Sequence, residues 1–189
     1  MKPFDYLTVL ISIVMGLAIA NLLSGVVRLM HARHRVRIYW PPVVWSVLLF
    51  VITTQHWWSE YNLRFKTDWG FDGFLGTLLI PVDLYLLCAL VLPNRDDDDQ
   101  IDLRAWYFTN RRTFFILLIA LAPLAYIEEL LTTHAVHKPL LETALLVGMG
   151  LTLCLGLLSK SPRIHAIIAT GMSALLFVYI ALLFTHLPH

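Results

Sequence analysis

The sequence is poor in charge, and this scarcity excludes a water-soluble fold. Only 14% of the 189 residues are Asp, Glu, Lys or Arg, whereas a soluble domain has about 25%. Hydrophobic residues make up 58% of the chain, and the mean hydropathy is +0.71. A soluble protein could not cover that much apolar surface, but lipid can solvate it. The formal net charge of +1 offers nothing to a nucleic acid, so no such partner is expected.

Cysteine pairs and catalytic signatures are also missing. Cys88 and Cys154 both fall in apolar runs, and no CxxC pair exists, which excludes thiolate metal sites and thioredoxin-like chemistry. The chain contains no GxxxxGK[ST], GxGxxG, HExxH or GxSxG signature. Nucleotide-driven and redox enzymology are therefore not expected, and an enzyme is the less favoured reading.

Long apolar runs are what the sequence does have. A membrane-spanning helix needs about 20 mostly apolar residues. The sequence predicts an all-α, polytopic transmembrane bundle of six helices that forms a single domain over residues 1–189. The predicted helices cover residues 4–30, 42–60, 73–92, 113–131, 139–158 and 164–186.

The distribution of Lys and Arg predicts the orientation of this bundle. Loops after the first, third and fifth helices, together with Arg28 at the end of the first helix, hold ten of these residues, and the remaining segments hold four. Because loops rich in Lys and Arg stay in the cytoplasm, both termini are expected on the non-cytoplasmic side. Aromatic pairs such as Tyr39-Trp40 and Trp57-Trp58 fall at predicted helix ends, where such rings prefer the headgroup level.

Three stretches carry a resemblance to a known group. They are residues 4–9 (FDYLTV), residues 56–58 (HWW), and residues 102–108 (DLRAWYF) followed by Arg111-Arg112. Together they resemble a group of small six-helix bacterial inner-membrane proteins that has no assigned activity. The resemblance implies a multi-pass protein of the bacterial inner, or cytoplasmic, membrane, and it implies no chemistry.

Asp83 is a carboxyl group at the middle of the predicted third helix. An ionised carboxylate at that depth costs at least ~2.5 kcal/mol, and no Lys or Arg is predicted at matching depth. Asp83 should therefore be protonated or bind a cation. Pro81 removes a helical hydrogen bond and leaves the Thr77 carbonyl without its usual donor. A neutral Asp83 could serve packing by bonding such a group, so packing and proton or cation handling both remain open.

Acids and histidines collect at the outer end of the predicted bundle. His56 and Glu60 are four residues apart, hence on one helix face, and one of the adjacent Glu128 and Glu129 should face the bundle. Imidazole and carboxylate together suit divalent metals and proton exchange, although an ordinary polar rim is the competing reading. The predicted ion or proton pathway comprises Asp83, Glu128, His56 and Glu60, and the predicted metal ligands are His56, Glu60, His134 and Glu142.

Small residues at helical spacing predict close helix packing. In lipid, small side chains let helices approach each other. The two predicted packing stripes consist of Gly16, Ala20 and Ser24 on the first helix, and Gly148, Thr152 and Gly156 on the fifth. A chain of this size is also expected to form a homo-oligomer within the bilayer.

These observations support three hypotheses about function. The first is a channel or transporter-like protein for protons, cations or a small solute. The second is a membrane-embedded enzyme that uses a divalent metal on a lipid-soluble substrate. The third is a non-catalytic assembly or sensor subunit.

Overall fold

Six helices make up most of the part of the chain that the structure describes. The structure is a computed structural model that describes residues 3–66, 68–93, 100–133 and 140–183. The helices are α1 (Pro3–His31), α2 (Trp40–Ser59), α3 (Phe71–Val91), α4 (Leu103–Thr133), α5 (Leu140–Leu158) and α6 (Pro162–Leu183). A 3₁₀ helix, Glu60–Phe65, continues α2, and two short strands are β1 (Val36–Arg37) and β2 (Ile101–Asp102). The predicted all-α fold with six helices is confirmed.

Within the described residues, four helices are long and apolar enough to cross a membrane. These segments are Phe4–His31, Phe71–Val91, Leu103–Thr132 and Pro162–Ala181. The apolar stretch Thr143–Leu158 of α5 is shorter. Four such helices suggest a membrane protein, because apolar helices of this length match the thickness of the hydrocarbon core.

Helix α4 begins at Leu103, ten residues before the predicted position. Asp102 explains this start, because its Oδ1 accepts hydrogen bonds from the backbone N–H groups of Arg104 and Ala105, each over 2.9 Å. A carboxylate at this position caps the otherwise unsatisfied first turn of a helix. The polar and aromatic residues 104–112 are therefore helical, although they are not apolar enough to be read as part of a span.

Three inter-helix connections meet at one end of the bundle, which we call the basic end. Strands β1 and β2 pair in parallel there, with Val36 opposite Ile101 and Arg37 opposite Asp102. The Tyr39 hydroxyl donates to the Pro162 carbonyl over 3.4 Å. The connections after α1, α3 and α5 are thus neighbours, as expected for six helices that run alternately up and down.

The opposite end, where α2 and α4 finish, we call the acidic end. Lys66, just after the 3₁₀ helix, donates through Nζ to the carbonyls of Thr132 (2.7 Å) and Leu131 (3.4 Å). A cation is favourable there because the last carbonyls of a helix carry a partial negative charge. This contact ties the segment after α2 to the end of α4.

The core is built on one face of α1 and on aromatic side chains of α2 and α4. The buried face of α1 consists of Leu7, Ile11, Met15, Ala18 and Leu22. Trp45 and Phe115 are both fully buried, and their rings meet edge to face with centroids 5.8 Å apart. Such aromatic pairs contribute about 0.5–1.5 kcal/mol beyond the burial of their area.

Among the described residues, the small-residue stripe of α1 faces outward rather than toward another helix. Gly16, Ala20 and Ser24 are all exposed, and the close approach to α3 is made by Gly25, whose Cβ position would lie 3.1 Å from Leu92. Small residue size alone does not determine which face of α1 is buried. The face that packs inward is instead the one that carries the larger apolar residues. Contact between copies of the chain is the packing role still open to this stripe.

The predicted stripe of α5 makes one close contact. A Cβ at Gly156 would overlap Phe115 Cε1, whereas a Cβ at Gly148 would meet nothing within 4 Å. Thr152 is half-buried and bonds to the Gly148 carbonyl of its own helix over 2.8 Å. Gly156 is therefore the position where α5 needs the absence of a side chain.

We expect Gly156→Ala to destabilise the protein by about 1–3 kcal/mol, because the new methyl group overpacks the Phe115 contact. Thermal unfolding in detergent micelles measures the effect. Gly148→Ala is the matched control, and it should leave stability unchanged or raise it by up to ~1 kcal/mol through helix propensity. Equal effects of the two substitutions would contradict this packing.

Candidate functional site

Three titratable side chains come together at the acidic end. His56 lies in the last turn of α2, Glu60 is the first residue of the 3₁₀ helix, and Glu128 lies in α4. The Glu60 backbone N–H bonds to the His56 carbonyl, so helical geometry continues across the boundary. This continuity keeps the two side chains on one face, as their spacing of four residues predicted.

The three side chains are close enough to share one ligand. One nitrogen or carboxylate oxygen from each of them lies within 4.8 Å of the others. His56 Nε2 and Glu60 Oε1 are 3.3 Å apart, an ion-pair distance. His56 and Glu60 are each only 8% exposed. Of the two adjacent acids in α4, Glu128 is therefore the one that joins this cluster.

One polar atom of each of these residues is buried and has no hydrogen-bond partner among the described residues. The atoms are His56 Nε2, Glu60 Oε2 and Glu128 Oε1. Leaving such an atom unsatisfied costs roughly 1–3 kcal/mol, so a ligand that satisfied these atoms would stabilise the cluster. A deprotonated imidazole nitrogen and two carboxylate oxygens would be satisfied by one cation, and shared protons would satisfy the same groups.

Electrostatics at Glu60 leads to the same requirement. The Glu60 side chain is buried, and the Glu128 side chain lies within 4.8 Å of it. Two carboxylates held this close repel each other when both are ionised. The pair therefore needs a proton or a cation between them.

The cluster borders a cavity of about 370 Å³ at the acidic end. Its other polar lining residues include Gln55, Ser59, Asn62 and Glu129. Glu60 also borders a second, apolar cavity of about 360 Å³ whose walls include Phe4, Trp57 and Trp58. Glu60 is thus shared by a polar cavity and an apolar one.

Asp83 lies deeper in the bundle. It is 6% exposed, and its Oδ2 has no hydrogen-bond partner in the described part of the chain. Ile80, which lines the polar cavity, precedes it by three residues on α3 and so shares its helix face. Asp83 therefore lies one helical turn farther from the acidic end than the cavity wall, and it is not among the lining residues.

The predicted metal ligand set is only partly represented. His56 and Glu60 come together as expected, and Glu128, predicted for the ion pathway, is their third neighbour. His134 and the side chain of Glu142 lie outside the described residues. The candidate ligands among the described residues are one imidazole and two carboxylates, and both donor types bind Zn²⁺.

A second polar cluster, which the sequence analysis did not identify, lies at the basic end. His165 in α6 is fully buried. Its Nε2 lies 3.0 Å from the Ser159 carbonyl, and its Nδ1 lies 2.8 Å from the Tyr107 hydroxyl. Because a carbonyl only accepts, Nε2 carries the hydrogen and Nδ1 accepts from Tyr107. Arg111 donates to the same Ser159 carbonyl.

This second cluster is structural rather than a binding site. The rings of Tyr107, Phe108 and Phe115 surround His165 with centroid distances of 5.2–5.4 Å, and both ring nitrogens of His165 have partners. It joins α4 to the connection between α5 and α6. The sequence analysis missed it because it placed Tyr107 and Arg111 in a loop before α4.

Comparison with known proteins adds no assignment. No family model, no curated protein and no solved structure matches this chain. The functional argument therefore rests on the geometry of the acidic end.

We expect Tyr107→Phe to destabilise the protein by about 1–3 kcal/mol, because it leaves the buried His165 Nδ1 without its donor. Chemical denaturation in mixed micelles measures the loss. Tyr85→Phe removes a hydroxyl from a side chain that is 37% exposed, and it should change stability by less than about 0.5 kcal/mol. A loss at Tyr107 no larger than at Tyr85 would refute the tautomer assigned to His165.

Proposed function

We propose that this protein is a channel or transporter-like membrane protein for cations, and that His56, Glu60 and Glu128 form its entry site. The observation that carries the proposal is that three buried polar atoms, none of which makes a well-formed hydrogen bond within the described residues, belong to side chains that meet beside the polar cavity. A cation entering the polar cavity would satisfy all three atoms at once. It would also neutralise the two carboxylates, which otherwise repel each other.

The ligand chemistry favours a divalent transition metal ion over an alkali metal ion. Imidazole nitrogen binds ions such as Zn²⁺ and is a poor ligand for hard cations, which prefer oxygen alone. Three protein ligands leave a coordination position for water or for the next site along a path. Protons are the competing cargo, because the same imidazole and carboxylates exchange them near neutral pH.

Asp83 is the proposed second binding site along the cation path. It follows the cavity-lining Ile80 by one turn of α3 and is the buried acid placed toward the middle of that helix. A cation that leaves the entry site and moves inward would meet this carboxyl group. The pathway predicted from the sequence, with His56, Glu60, Glu128 and Asp83, is retained in this proposal.

The proposed threading has six spans and places both termini, together with the acidic end, on the non-cytoplasmic side. Support comes from the basic end, where three connections lie side by side. These connections and the helix turns that flank them carry most of the Lys and Arg residues. We propose the inner membrane of a bacterium as the location. The exposed stripe of Gly16, Ala20 and Ser24 is the surface that a homo-oligomer would use.

The purified protein should bind about one Zn²⁺ per chain at pH 7.5. Glu60→Gln and Glu128→Gln should each weaken binding by at least ~10-fold, a loss typical of damage to a metal site. Affinity should fall as the pH falls, because protons compete for the imidazole and the carboxylates. Isothermal titration calorimetry after chelator treatment measures both effects.

The matched control is Asp72→Asn, which removes an exposed carboxylate from the first turn of α3, also at the acidic end. It should leave Zn²⁺ affinity unchanged. Binding that is equally weakened by Asp72→Asn would indicate diffuse surface attraction. A wild-type protein that stays metal-free at micromolar Zn²⁺ would refute the metal site.

In proteoliposomes with an internal zinc dye and an internal pH dye, wild-type protein should carry Zn²⁺ down its gradient. Glu60→Gln and Asp83→Asn should each abolish the signal, whereas Asp72→Asn should retain it. A signal in the pH dye alone would identify protons as the cargo. Full flux through folded Asp83→Asn would limit that residue to packing.

A metal-dependent enzyme acting on a lipid-soluble substrate is the second candidate. The apolar cavity beside Glu60, with walls from Phe4, Trp57 and Trp58, is the observation that favours it, because a hydrophobic molecule could reach the metal from there. This candidate predicts stoichiometric Zn²⁺ without flux of either ion in the liposome assay.

A further inference from the structure

A large apolar groove lies at the basic end, remote from the proposed entry site. Its volume is about 690 Å³, and its walls come mainly from the last turns of α1 and the first half of α2. Exposed apolar side chains in these walls include Leu23, Met30, Val47 and Phe50. Of the fourteen lining residues, only Arg33 is charged.

The connection after α1 closes one side of this groove with alternating residues. Val36 and Ile38 line the groove, and Arg35 and Arg37 alternate with them and are exposed. Successive side chains of an extended segment point to opposite sides, so the segment turns its apolar face inward and its basic face outward. Pairing of β1 with β2 holds this segment in place.

Arg33 has donors available for an anion. Its Nε donates to His34 Nε2 over 3.2 Å, and no described residue accepts from its two Nη groups. A guanidinium with free Nη groups is the side chain best suited to a bidentate bond with a phosphate.

An acid lies beside this segment and caps a helix. Asp102 pairs in register with Arg37, and its Oδ1 caps the first turn of α4. Arg33 in the groove and Arg35 and Arg37 on the outward face of the same segment outnumber this one acid, so the segment beside the groove is positive. A cluster of basic residues beside a membrane helix attracts anionic lipid.

We propose that this groove binds an anionic phospholipid, with one acyl chain along the walls from α1 and α2 and the phosphate on Arg33. The apolar walls fit a hydrocarbon chain, and the lone charged lining residue matches the charge of the headgroup. The site is independent of the proposed cation function.

Native mass spectrometry from mixed micelles tests the proposal. The probes are phosphatidylglycerol and phosphatidylcholine with identical acyl chains, added in equal amounts. We expect the wild-type protein to retain phosphatidylglycerol about 10-fold more than phosphatidylcholine. Arg33→Gln should reduce this preference to near unity, whereas Arg163→Gln, an exposed arginine of the basic end outside the groove, should preserve it.

A second pair of variants tests the groove itself. Val47→Trp fills the groove and should release both lipids, whereas Ile167→Trp, at a 71% exposed position of α6, should release neither. Equal retention of the two lipids, or equal loss with Arg33→Gln and Arg163→Gln, would overturn the proposal. So would a Val47→Trp variant that retains both lipids but dissociates an oligomer, because a second copy of the chain would then be the occupant. Competition by inorganic phosphate alone would also overturn it, since the acyl chain would contribute nothing.

Discussion

The structure of the acidic end depends on the close approach of two buried carboxyl groups and an imidazole. An imidazole and two carboxyl groups are withdrawn from water within 4.8 Å of one another, and buried groups of this kind are tolerated only when protons or a cation satisfy them. The elements around them are held firmly. Helix α2 continues without a break into the 3₁₀ helix, and Lys66 fastens the following segment to the last carbonyls of α4. The arrangement keeps the carboxylates together against their mutual repulsion.

Most of the helices could be predicted from the sequence because runs of about 20 apolar residues admit little else in a membrane protein. Helix α4 shows where that rule fails. Its first turns, residues 103–112, contain arginines and aromatic residues, so a hydrophobicity criterion assigns them to a loop. The capping bond from Asp102 makes them helical, and the rings and long side chains of this segment suit the headgroup region. A hydrophobicity criterion therefore finds the apolar part of α4 and misses its polar first turns.

Part of the candidate site could likewise be predicted from local sequence spacing, and part depends on how the helices pack. His56 and Glu60 were predictable as a pair because the spacing of four residues is a property of the helix itself. The choice of Glu128 over its neighbour Glu129 depends on how α4 is rotated against α2, which no local pattern contains. The cluster around His165 was missed because Tyr107 was assigned to a loop. The two residues are also 58 positions apart in the chain, so no local pattern connects them. The buried face of α1 likewise depends on its partners.

The two-residue pairing of β1 with β2 has a mechanical consequence. These strands belong to different helical hairpins, α1–α2 and α3–α4, and their backbone bonds clamp the hairpins together at the basic end. The bonds from Lys66 to the last carbonyls of α4 join the same two hairpins at the opposite end. His56 and Glu60 belong to one hairpin and Glu128 to the other, so the cluster is assembled across a seam that is fastened at both ends.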